Sequence, residues 1–74
     1  MTIKKENYAY TFTQDDISLT YPVDSVIFIT NGSSDIVNVR VKSSRRNVIQ
    51  FNWKDVKGIN AEDVNDFVQQ LINL

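Results

Sequence analysis

The sequence predicts an α+β domain: a small antiparallel β-meander of about five strands with one C-terminal amphipathic α-helix packed on one face. Three observations carry this. Several short segments alternate apolar and polar residues, the mark of strands half-buried on one face. Turn-forming residues separate these segments at short intervals, so consecutive strands are neighbours in an antiparallel sheet. After Asn60 the apolar spacing changes to that of one helix face. The 74 residues make one small domain, and a chain of this size buries only roughly 60% of the surface its unfolded form exposes.

Taken in order, residues 1–6 are polar and expected to fray. Residues 7–13 alternate, with Tyr8, Tyr10 and Phe12 on one side, and read as the first strand. Gln14-Asp15-Asp16 is a turn by composition. A second strand over 17–21 ends at Pro22, which has no N–H for a ladder. Residues 25–30 hold the consecutive run Val26-Ile27-Phe28-Ile29, which predicts a central strand covered on both faces. Asn31-Gly32 is a strong hairpin signal, because both residues tolerate positive φ. Residues 35–42 and 47–53 are the arms of the main hairpin, around the basic turn Ser43-Ser44-Arg45-Arg46.

Gly58 permits a bend before the helix, predicted over 61–73. Asn60 is its expected N-cap and Asp63 stands at N3, while Ile59 and Val64 form a hydrophobic staple. Val64, Phe67, Val68, Leu71 and Ile72 form one apolar face, expected to pack on the sheet.

The composition removes several function classes. There is no cysteine and no histidine, so disulfides, thiolate sites and His-based zinc sites are excluded, and neither residue is available as catalytic base or nucleophile. Asp15 and Asp16 are adjacent turn residues rather than a separated acid pair. No glycine-rich phosphate loop or calcium loop is present. The expectation is a non-enzymatic protein without catalytic residues, metal site, cofactor or small-molecule substrate. No stretch has the length of a transmembrane helix, and the N-terminus lacks the apolar segment of a secretory signal.

Charge is uneven. Between residues 40 and 57, six cations (Arg40, Lys42, Arg45, Arg46, Lys54 and Lys57) face the single acid Asp55. Arg40, Lys42, Arg45 and Arg46 are the candidate phosphate contacts of a nucleic-acid-binding alternative. Against it, Phe51 and Trp53 share a face with Ile49 and read as core, which leaves no stacking platform for bases. Trp53 covers the core edge or anchors a partner.

Counting faces predicts association. One helix covers one side of the sheet, the side of Ile49, Phe51 and Trp53. Tyr8, Tyr10 and Phe12, with Val26 and Phe28, then line a second apolar surface, the candidate interface of a homo-oligomer or an assembly partner. The alternative is that the sheet curls into a small barrel and hides both faces within one chain.

The C-terminal half carries a resemblance. Val39-Arg40-Val41-Lys42-Ser43-Ser44-Arg45-Arg46-Asn47-Val48-Ile49 leads into Phe51-Asn52-Trp53-Lys54-Asp55-Val56, and Ile59-Asn60-Ala61-Glu62-Asp63-Val64 opens the terminal helix. Residues 35–74 resemble small virion-associated proteins of tailed phages that infect Bacteroides-like bacteria. The resemblance implies a structural role in a particle, with other copies or other virion proteins as partners and the virion or host cytoplasm as location. It supplies no catalytic residue.

Overall fold

A computed structural model of the chain describes residues 1–31 and 34–74. The fold is α+β, but among the described residues it holds six strands in two three-stranded antiparallel sheets rather than one five-stranded meander. The first sheet contains β1 (Thr2–Glu6), β2 (Ala9–Gln14) and β3 (Ile17–Pro22). A 3-10 turn, Val23–Ser25, leads to the second, made of β4 (Val26–Thr30), β5 (Ile36–Val41) and β6 (Arg46–Asn52). A further 3-10 turn, Trp53–Asp55, precedes α1 (Val64–Ile72). Trp53 therefore follows the last strand instead of ending it.

The extra strand is the segment expected to fray. Thr2–Glu6 pairs with β2 through Ile3 opposite Phe12, and Ile3 is buried. Its neighbours Lys4 and Lys5 disguise one well-placed apolar residue. The hairpin turns on Asn7-Tyr8, with φ of 53° and 65°, the positive pair of a type I′ turn. Tyrosine has no preference for that backbone, so residues 7 and 8 read as strand and conceal the turn. Asp15, at φ 54°, opens the next two-residue loop.

The main hairpin forms around a loop over 42–45, closed by the Arg45 amide donating to the Val41 carbonyl at 3.0 Å. Its register slips between Val39 and Arg40, where Ile49 faces Val39 but Asn47 faces Arg40. The additional residue, Val48, bends the strand as a bulge does. Gly32, the second residue of the expected Asn31-Gly32 turn, lies outside the described residues.

The helix starts three residues later than expected. Asp63, in extended geometry, is the N-cap, and its carboxylate accepts from the Asp66 amide at 2.8 Å. The Asp66 carboxylate in turn accepts from the amide of Glu62, the residue before the cap, at 3.0 Å. Asn60 instead offers its carbonyl to Gln70 Nε2 at 2.9 Å.

The inner faces of the sheets meet. The Phe28 ring lies edge-on to Tyr10 at 5.4 Å and to Phe12 at 6.3 Å. Phe67 of α1 packs against Phe51 and Trp53, both at 6.0 Å between centroids. Tyr10 Oη donates to the Leu71 carbonyl at 3.3 Å, and Lys5 Nζ to that of Ile72 at 2.7 Å, which tie the last helical turn to the first sheet. Burial raises the Tyr10 phenol above its ordinary value. Val26 and Phe28 share one inner face of the second sheet with Val39, Ile49 and Phe51, on which both the first sheet and the helix pack, while Ile27 and Ile29 lie on the opposite face.

Candidate functional site

The candidate interface residues are placed apart. Tyr10, Phe12 and Val26 are buried in the core, and Phe28 is half-buried between the sheets. They form no continuous exposed surface, because the aromatic row of β2 faces β4 rather than solvent. Only Tyr8 stands out, 90% exposed on its turn. Its main-chain carbonyl accepts from the Val23 amide at 2.8 Å.

The basic residues separate as well. Lys42, Arg45 and Arg46 are exposed around the hairpin loop. Arg40 is half-buried, and its Nε donates to Asn47 Oδ1 at 3.1 Å across the strands. Phe51 is buried, and Trp53 lies half-buried on Phe67, so neither offers a free ring beside the cations. Lys54 bonds Asp35 at 3.3 Å in an exposed pair, a contact of small net worth.

β4 is the more informative element. The run Val26-Ile27-Phe28-Ile29 predicted a central strand, yet β4 lies at the edge of its sheet. Bonding parity shows which groups face outward. The Lys42 amide donates to the Ser25 carbonyl at 2.8 Å, and Ile27 and Ile29 continue that phase opposite Arg40 and Asn38. Hydrogen-bonded and non-bonded pairs alternate in an antiparallel ladder. The N–H and C=O groups of Val26, Phe28 and Thr30 therefore point away from β5, and among the described residues none of them has a partner there.

A groove of about 420 Å³ runs along Val26, Ile27 and Phe28. Its other wall is Lys5, Tyr10, Val68 and Ile72. Ile27 is 43% and Ile72 48% exposed, large apolar side chains flanking the same groove. Lys5 Nζ sits 5.7 Å above the Tyr10 ring, which fixes its charge on this wall. The sequence does not mark Lys5, Ile27 and Ile72 as site residues. Ile27 was signalled by its place in an apolar run and Ile72 by the margin of the helical stripe; Lys5 had no signal.

A second, smaller groove of about 260 Å³ lies between Phe12, Ile17 and Leu19 of the first sheet and Val48 and Ile49 of the second. Among the described residues, no helix is long and apolar enough to cross a membrane. Known protein families, characterised proteins and solved structures offer no match to this chain.

Proposed function

We propose that the chain is a non-enzymatic interaction module that acts by self-association or by binding other structural proteins. By the resemblance of residues 35–74, the assembly it serves is a phage particle. The observation that carries the reading is the groove beside β4, where Ile27 and Ile72 expose apolar surface next to unpaired main-chain groups. Contiguous exposed apolar surface is costly in water and marks interaction sites. A small core gains stability by burying such surface against another chain.

Sedimentation equilibrium of the full chain over the micromolar range tests this. The expected mass exceeds the 8.5 kDa of one chain, and the melting temperature rises with concentration. A single-chain mass with a concentration-independent melt overturns self-association. The runner-up is nucleic-acid binding by the exposed Lys42, Arg45 and Arg46. It requires salt-dependent DNA retention whose slope falls by about two units when Arg45 and Arg46 become Ser.

A further inference from the structure

We infer that β4 pairs antiparallel with β4 of a second copy, centred on Phe28, joining the two three-stranded sheets that contain β4 into one continuous sheet. This rests on the reading of the chain as a self-associating module and names its contact.

The chemistry of the edge selects an extended strand as the occupant. Val26, Phe28 and Thr30 present alternate N–H and C=O groups outward, and an extended segment has the matching periodicity. Symmetry selects a second copy. The outward residues are evenly placed about Phe28. A two-fold operation sets Val26 opposite Thr30 of the second copy, Phe28 opposite Phe28, and Thr30 opposite Val26. Each pair exchanges both of its hydrogen bonds, so the whole outward row is satisfied. An isologous contact of this kind is the commonest route to a dimer.

The other edges do not fit this role. β1 carries Lys4, Lys5 and Glu6, β3 ends in Pro22, and β6 carries Arg46 and the bulge at Val48. Charges, proline and bulges are the devices that keep edge strands from pairing. β4, Val-Ile-Phe-Ile-Thr, has none of them. A symmetric pair of β4 strands places no like charges across the axis. On the outer face, Ile27 meets Ile29 of the second copy and their exposed apolar surface is covered. On the inner face, the added strand lies along the groove walled by Val68 and Ile72.

Engineered disulfides read the register. The chain has no cysteine of its own, so only introduced thiols can bridge. In the inferred register, residues 27 and 29 of opposite copies form a non-hydrogen-bonded pair with Cα atoms roughly 4.5 Å apart, within disulfide reach. Residue 27 is roughly 7–8 Å diagonally from its own symmetry mate. An oxidised mixture of Ile27→Cys and Ile29→Cys chains is expected to give the mixed disulfide, while either variant alone gives little. Ile27→Lys weakens association by roughly 100-fold with an unchanged folded circular-dichroism spectrum, and Ile17→Lys leaves association intact. If the protein associates but the mixed disulfide does not form, or Ile27→Lys leaves the mass unchanged, the edge contact is wrong and self-association through another surface stands. If the parent chain is a single-chain species throughout, both fail.

Discussion

Truncating Phe67 tests whether the helix is part of the core. The side chain is fully buried and touches Phe51 and Trp53 across the junction of helix and second sheet. Removing a buried phenyl group costs about 3–5 kcal/mol, through lost transfer energy and the cavity left behind. At roughly 0.05–0.15 kcal/mol per residue, a chain of 74 residues holds about 4–11 kcal/mol in total. Phe67→Ala therefore consumes about a quarter of the stability or more, and its melting temperature falls by roughly 12–40 °C. Urea unfolding followed by the fluorescence of Trp53, the sole tryptophan, measures both the loss and the change in ring environment. Gln69→Ala, at an exposed position of the same helix, should change stability by less than about 0.5 kcal/mol. A loss below about 1 kcal/mol for Phe67→Ala would refute the helix–sheet packing argument.

Two further outcomes follow from the backbone and from Tyr10. Tyr8→Gly should stabilise the fold by about 0.5–1 kcal/mol, because glycine adopts the positive φ of the Asn7-Tyr8 turn without the steric cost of a side chain; a thermal melt checks this. Tyr10 should give the chain an alkaline limit: its phenol is raised above 10.0 by desolvation, so its contribution is fully present below the unfolded-state value. That contribution is lost as pH rises from there through the folded-state value. Denaturation midpoints measured from pH 8 upward should therefore fall above about pH 10, and Tyr10→Phe should flatten that fall while losing about 0.5–1.5 kcal/mol at neutral pH from the Leu71 hydrogen bond.

The elements legible in the sequence are those whose residues reveal their period. The arms of the main hairpin alternate and the helical stripe is regular, and both lie within a few residues of their predicted bounds. β1 was hidden because a short edge strand needs only one deeply buried side chain, Ile3, and can carry charge elsewhere. The Asn7-Tyr8 turn was hidden because tyrosine occupies a conformation that glycine usually marks. The helix cap shifts because aspartate serves at N-cap as well as asparagine does, and the Asp63 carboxylate accepts from the Asp66 amide.

The candidate site was less legible. Apolar alternation shows that a side chain wants a dry neighbour, not which chain or sheet provides it. Tyr10, Phe12 and Val26 found theirs inside the molecule. The apolar run Val26–Ile29 predicts two covered faces, but its distinguishing property is the exposed main chain of an edge, which no residue type announces.

The ties between the first sheet and the helix also bear on how the chain folds. Each three-stranded sheet links consecutive strands, so its ladders close short loops and can form early. The bonds from Lys5 to Ile72 and from Tyr10 to Leu71 close separations of 67 and 61 residues. Such distant contacts form at a larger entropic cost and set the pace of folding. The slow event is thus the docking of two preformed meanders with the helix. Mutations at Lys5 or Tyr10 that weaken these docking contacts should then slow folding itself and leave the early collapse of either sheet unchanged.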